Sequence, residues 1–306
     1  MKDPISAPVI HAIPSFKLPD PSRREVDFTE SSFFAESGRC LPSPAEVRAL
    51  SDDGGMVAEP RPVVFEDLNL LVKFGYCVTV TEAQCLWMLK RVFGDKVPVP
   101  ELYGWRIDEQ GHVFIYMELI RGRTLHDSWD DLDSDDKKAL CDQLCQIIGQ
   151  LRQLRHHPSD SKYIGSISRQ SPQDYVLREQ KPTGPFSEIK EFNDWFTGLP
   201  QARLAPSDRY EDPWREFLPD TGDIKFTHAD LHRGNIIVSS SGPARVLAIV
   251  DWAQSGWYPD YWEYCKALYT CWYEDEWRRD WIDKFLFPRA QEALIFSEYT
   301  MAMGAV

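Results

Sequence analysis

Apolar positions recur along this chain with two periods, and the switch between them marks its organisation. Leu68-Asn69-Leu70-Leu71-Val72-Lys73-Phe74 is an almost unbroken apolar run closed by Gly75, which predicts a strand. Thr79-Val80-Thr81-Glu82 has the form of a capping box opening a helix through Ala83–Lys90. Leu102–Ile107 and His112–Glu118 read as a hairpin across Asp108-Glu109-Gln110-Gly111. Further on the period lengthens: Leu140, Leu144, Ile147, Ile148, Leu151 and Leu154 lie three and four apart, as on one face of a helix. The acidic stretch Asp130–Asp136 precedes them, where negative charge suits a helix N-terminus. Prolines and glycines interrupt residues 156 to about 220, around a short helical piece at Phe192–Phe196. Ile236–Val238 and Arg245–Val250 are a β-prone pair, followed by aromatic-rich helices at Tyr261–Tyr273 and Trp277–Phe287. Over residues 1–62, nine prolines break up the chain. One short helix, Ala45–Leu50, is expected there, started by Ser43 or Pro44 and stopped by Ser51-Asp52-Asp53-Gly54-Gly55.

Composition narrows the class. A chain of 306 residues, 43% apolar with 11 Trp and 12 Tyr, can bury a sizeable core in two lobes or one large domain. A net charge of −14 argues against nucleic acid and anionic membrane as partners, since both call for Lys/Arg-rich surfaces. The seven cysteines are odd in number and contain no Cys-x-x-Cys pair. Met1–Ser6 lacks a basic region followed by an apolar core, and no apolar run approaches the roughly 20 residues of a membrane span. A reducing, cytoplasmic setting is therefore expected, with the cysteines as buried fillers.

The chemistry concentrates in His228-Ala229-Asp230-Leu231-His232-Arg233-Gly234-Asn235. An Asp opens this loop and an Asn closes it five residues later, at the start of the β-prone pair. A second Asp, Asp251, stands where that pair stops, followed by Trp252. Phosphoryl transfer from a nucleotide needs such a set: one carboxylate to take the acceptor hydroxyl proton, and an amide oxygen and a carboxylate to hold magnesium. Asp and Asn also cap turns, so any one of these residues alone would say little.

The loop resembles that of the aminoglycoside phosphotransferase and choline kinase-like family, which shares the protein-kinase fold. The family's loop reads His-x-Asp-x-x-x-x-Asn, often as His-Gly-Asp-Leu-His-Pro-Gly-Asn, and its metal-binding Asp is usually followed by Trp or Phe. His228, Asp230, Leu231, His232, Gly234 and Asn235 match position by position, as does Asp251-Trp252. Ala229 replaces the usual Gly and Arg233 the usual Pro. The resemblance implies an α+β, two-lobed fold with a small β-rich lobe over residues 61–118 and a mostly helical lobe over 119–306, after an irregular extension over 1–60. It implies ATP and Mg²⁺ as cofactors and a small-molecule hydroxyl as acceptor. Asp230 is expected as catalytic base, with Asn235 and Asp251 as magnesium ligands. Lys73 would contact the nucleotide phosphates and pair with Glu82, although Glu82 could equally serve only the local capping box. Met117, Glu118, Leu119 and Ile120 would form the connector whose backbone bonds the adenine.

Other residues have plainer readings. His228 and His232 are expected to fix the loop by hydrogen bonds. Trp252, Trp257, Tyr258, Tyr261 and Trp262 suit core packing, with an acceptor-pocket lining as the alternative. The glycine-rich hairpin that kinases place before the Lys strand is reduced here to Gly54-Gly55 beside two aspartates. That abridgement resembles a fungal-type branch of the family, and it keeps a second class open: a non-catalytic nucleotide-binding module on the same fold. A protein kinase fits less well, because no Asp-Phe-Gly to Ala-Pro-Glu frame is present.

Overall fold

The period-two pattern of the first lobe decides which way its lysine faces. The computed structural model describes residues 17–51 and 61–305. In chain order the small lobe contains β1 (Glu25–Asp27), α1 (Pro44–Leu50), β2 (Val63–Phe65), β3 (Leu70–Gly75), α2 (Val80–Phe93), β4 (Leu102–Ile107) and β5 (Val113–Glu118). The strands form one antiparallel sheet in the order β1-β4-β5-β3-β2. Leu70, Val72 and Phe74 of β3 join Phe114 and Tyr116 of β5 on the outer face, under Val47 of α1. The alternate residues Val113, Ile115 and Met117 join α2 on the inner face. Lys73, between Val72 and Phe74, therefore points inward with α2.

Three features depart from the expected pattern. Glu25–Asp27, in the stretch expected to be irregular, forms an edge strand on β4. Only one of its three residues is buried, so three residues with one apolar side chain gave no alternation to detect. The capping box before α2 does not form: Thr79 makes no side-chain cap bond, and the Glu82 side chain goes to Lys73. The helix expected over Trp277–Phe287 is a π-turn at Trp277–Trp281 followed by a single α-helical segment, Ile282–Phe285. Cys40 and Cys145, expected as buried fillers, are exposed, and the helix over Ala290–Met303 had no counterpart in the expected pattern; the remaining outline is as expected. Ser43 caps α1 with Glu46 in a full capping box, and Asp133 caps the long helix below through the amides of Asp135 and Asp136. Gly54-Gly55 lie outside the described residues.

The large lobe follows directly. It contains β6 (Arg123–Thr124), α3 (Leu125–Ser128), α4 (Ser134–Leu151), α5 (Ile189–Gly198), β7 (Ile224–Thr227), β8 (Ile236–Val238), β9 (Val246–Ile249), β10 (Gly256–Pro259), α6 (Trp262–Tyr269), α7 (Ile282–Phe285) and α8 (Ala290–Met303). β7 pairs with β10, and β6-β8-β9 form a second small sheet. Gly122 lets the connector between the lobes lie against β8: a Cβ there would meet Ile237 Cγ2 at 2.7 Å and Leu247 Cδ1 at 2.9 Å. Trp252, Trp257, Tyr258, Tyr261 and Trp262 are all fully buried, as their core reading requires. Among the described residues no helix is long and apolar enough to cross a membrane.

The β1–β4 pair supplies a test. Gly104 sits opposite Asp27, and a Cβ on it would collide with the Val26 carbonyl and with Leu41 Cδ1 at 2.7 Å. Gly104→Ala should lower stability by about 1–3 kcal/mol, the usual cost of overpacking. Urea unfolding measures it, and an unchanged midpoint would show that β1 yields freely.

Candidate active site

The structure gathers Lys73, Glu82 and Asp251 into one contact. Lys73 comes from the inner face of β3, Glu82 from the first turn of α2, and Asp251 from just beyond β9. The Lys73 ammonium donates to Glu82 Oε1 at 3.0 Å and to Asp251 Oδ1 at 2.6 Å. Glu82 is almost fully buried. Burial disfavours the ammonium, but the two carboxylates outweigh it and hold Lys73 charged well above its ordinary range. Burial likewise favours a protonated Asp251, and the Lys73 charge overcomes it, keeping that carboxyl below its usual value.

The loop from His228 to Asn235 brings the other groups to Asp251. It leaves β7, ends in a 3₁₀ turn at Arg233–Asn235, and enters β8. β8 pairs with β9, and the Val250 amide donates to the Asn235 carbonyl at 2.9 Å, so Asn235 stands beside Asp251 at the strand ends. The Asn235 side-chain NH₂ donates to the Asp230 carbonyl at 2.9 Å and to Asp230 Oδ2 at 3.1 Å. That commits its nitrogen and leaves Oδ1 as a hard oxygen donor, of the kind Mg²⁺ takes together with a carboxylate. No group of three or more His, Cys, Asp or Glu suited to a metal occurs among the described residues. A magnesium ion held by Asn235 and Asp251 would need none, because phosphates and water would complete its shell. Burial pushes the Asp230 carboxyl above its ordinary value, against the opposing pull of His232 and Lys266.

Both histidines do fix the loop. The His228 ring donates from Nε2 to the Val250 carbonyl at 3.0 Å and accepts the Asp230 amide at Nδ1 at 3.1 Å. One buried imidazole thus ties Asp230 to the strand end that precedes Asp251. Burial pushes its pKa down to about 4, so the neutral ring is the native form. His232 accepts the Gly234 amide at Nδ1 at 3.0 Å, capping the 3₁₀ turn. The connector is more committed than expected. The Glu118 amide donates to the Glu101 carbonyl at 2.9 Å and the Leu119 amide to the Asn69 carbonyl at 3.1 Å. Met117 is paired on both sides, with Leu71 and Leu102. Ile120 lies two residues beyond the last strand residue, Glu118, and has no such pairing among the described residues.

Sequence reasoning missed Glu263. This buried carboxylate on α6 accepts the His228 amide at 2.7 Å and the Ala229 amide at 3.1 Å. Ala229 has φ of 65°, which explains why glycine suits this position. Asp251 also has a left-handed backbone, with φ of 60°. Each costs roughly 1–2 kcal/mol relative to an ordinary conformation, so the loop needs anchors such as Glu263 and His228. Three residues beyond Glu263, the buried Lys266 donates to Asp174 Oδ1 at 2.8 Å and Gln254 Oε1 at 3.1 Å. The available signal was two charges inside the apolar run Trp262-Glu263-Tyr264-Cys265-Lys266-Ala267, where unpaired charge is costly.

Comparison with known proteins assigns the class. The sequence model of the phosphotransferase enzyme family matches residues 85–295. The chain belongs to that family, and its two lobes are those of the protein-kinase-like fold. No curated protein sequence matches it. Similar solved structures are aminoglycoside phosphotransferases. The GDP complex of a mutant 2′-phosphotransferase-IIIa is 14% identical, covers 80% of each chain and has a TM-score of 0.48. The streptomycin–ATP–APH(2″)-IIa ternary complex is 14% identical, over 86% of this chain and 99% of that chain, with a TM-score of 0.44. A thermostable mutant of APH(4)-Ia, in its apo form, is 12% identical over 77% of each chain, with a TM-score of 0.46.

His228 carries a pH test. A base whose folded pKa lies near 4 against 6.5 unfolded contributes stability that is present above pH 6.5 and lost as pH falls towards 4. His228→Gln should therefore be less stable than wild type at pH 7, with the gap narrowing between pH 6.5 and 4. A gap that stays constant in chemical denaturation across that range would show that the ring titrates normally.

Proposed function

We propose that this protein transfers the γ-phosphoryl group of ATP, with Mg²⁺, to a hydroxyl of a small molecule. The observation that carries the reading is the Lys73 ammonium held between Glu82 and Asp251, beside the Asp230–Asn235 pair. In this reading Lys73 holds the nucleotide phosphates and Glu82 holds Lys73. Asn235 and Asp251 offer oxygen donors to magnesium, which when bound neutralises charge on the transferring phosphoryl group. The connector over Met117, Glu118, Leu119 and Ile120 bonds the adenine through backbone groups. The engaged amides of Glu118 and Leu119 shift that task towards carbonyls and the Ile120 amide. Asp230 orients the acceptor hydroxyl and accepts its proton. Its raised carboxyl pKa moves it towards the range in which a base is effective, while Asn235 fixes its position by two hydrogen bonds. The acceptor belongs to the class that the relatives' aminoglycosides exemplify, small polyhydroxylated molecules, and the negative net charge suits one that carries cationic groups.

Lys73 and Glu82 give the first test. Lys73→Met strands a buried carboxylate, so it should cost about 3 kcal/mol of stability and also remove Mg·ATP binding. Adding Glu82→Gln should restore much of the stability without restoring the nucleotide, read as a thermal shift by Mg·ATP. Equal Mg·ATP affinity in wild type and the double variant would overturn the assignment of Lys73.

Asp230 gives the second. Asp230→Asn should leave Mg·ATP affinity near that of wild type and slow transfer by ~10²–10⁴, once a panel of hydroxyl-bearing metabolites has identified an acceptor. Transfer at the wild-type rate would place the base elsewhere. Mg·ATP binding with no transfer across the panel would favour a nucleotide-binding module without turnover.

A further inference from the structure

A cavity of about 360 Å³ opens against the loop that carries Asp230. His126 of α3, His232 and Arg233 of the loop, and Thr270, Trp272 and Asp275 beyond α6 form its walls. Its volume is that of a small-molecule site. None of these six residues is buried, and Trp272 is 87% exposed. His232 joins the cavity to the candidate active site. Its Nδ1 accepts the Gly234 amide at 3.0 Å, so in the neutral ring Nε2 carries the proton. That nitrogen lies 3.8 Å from Asp230 Oδ2. A molecule in the cavity is therefore one imidazole away from Asp230, whose own side chain is 15% exposed.

The charges on the wall are matched. Arg233, where the usual loop has Pro, donates to Asp275 Oδ2 at 2.5 Å and lies over the Trp129 ring at 5.1 Å. Asp275 Oδ1 accepts the Trp277 amide at 2.8 Å. Both carboxylate oxygens thus have donors already, and a cation entering the cavity would meet a guanidinium instead of a free counter-charge. An anion would meet Asp275 beside Arg233. A single hydrogen bond engages only one of the five guanidinium N–H groups, so the wall has donors to spare and calls for oxygen acceptors on a ligand. Trp272 adds an exposed aromatic face, which favours a flat ring in offset or edge contact. We propose, resting on the phosphotransfer reading above, that this cavity holds the part of the acceptor remote from its reacting hydroxyl, and that this part is a neutral, flat, oxygen-bearing ring stacked on Trp272 and bonded by Arg233. Any cationic group of the acceptor then lies outside the cavity.

The test uses the full chain with acetophenone, which is neutral and flat, offers a carbonyl oxygen and has no hydroxyl to be phosphorylated. It is titrated in the millimolar range and followed by ligand-observed NMR. Benzylamine, a cation at neutral pH, and cyclohexyl methyl ketone, which keeps the oxygen without the flat ring, are the controls. Acetophenone should bind saturably and both controls more weakly. Trp272→Ala should weaken acetophenone about fivefold, the worth of one aromatic pair, and at 87% exposure the ring can be removed without disturbing the core. Arg233→Met should weaken acetophenone and narrow its advantage over benzylamine. Acetophenone should also compete with the acceptor found in the metabolite panel, raising KM with kcat unchanged. Absence of saturable acetophenone binding, benzylamine binding as tightly, unchanged affinity in Trp272→Ala, or binding without competition would each overturn the proposal. The thermal shift by Mg·ATP is read on the same proteins: its absence with ring binding retained would fail the phosphotransfer reading and leave the ligand class of the cavity standing.

Discussion

An ammonium buried between two carboxylates joins the lobes of this protein. Lys73 belongs to the small-lobe sheet and Asp251 to the large lobe, while Glu82 fixes the helix that packs on the sheet. Burying charge is costly unless each charge finds a partner, and breaking such a set leaves an uncompensated ion. The strand, the helix and the end of β9 are therefore constrained together. The inward turn of Lys73 follows from alternation along β3. The inward turn of Glu82 requires α2 to give up a local capping bond. A residue that could have stabilised its own helix end is used to hold a charge on another element.

The loop below is held by different means. Two non-glycine residues, Ala229 and Asp251, have left-handed backbones. Such conformations persist where surrounding bonds over-determine them. Glu263 accepts two successive amides at the start of the loop, and His228 links the Asp230 amide to the Val250 carbonyl. None of these anchors has an atom free for chemistry. Their effect is to give the carboxylates of Asp230 and Asp251 a fixed relation before any ligand arrives, which is what preorganised catalysis by electrostatics and positioning requires.

Much of this was legible in the sequence where the signal was local. The helix over Leu140–Leu151, the Leu102–Glu118 hairpin and the cap at Ser43 follow from spacing and capping chemistry. Lys73 inside an apolar run announced a paired charge. Long-range effects were not legible. Glu263 and Lys266 read as ordinary helix residues until the fold places them beneath the loop and beside Asp174. β1 has too few residues to show a period, and its pairing depends on a glycine 77 positions away, the partner of Asp27. The capping box was a misreading of a different kind: the pattern was present, but a tertiary ion pair outcompeted a local hydrogen bond.

Gly122 places the joint between the lobes directly on β8, the strand that carries the chain away from Asn235. Asp230, Asn235 and Asp251 consequently lie on one side of that joint, and of the five polar groups only Lys73 and Glu82 lie on the other. A change in the angle between the lobes would register as a change in the separation of Lys73 from Asp251, the ion pair that spans them, about a joint where the backbone has no side chain to spare.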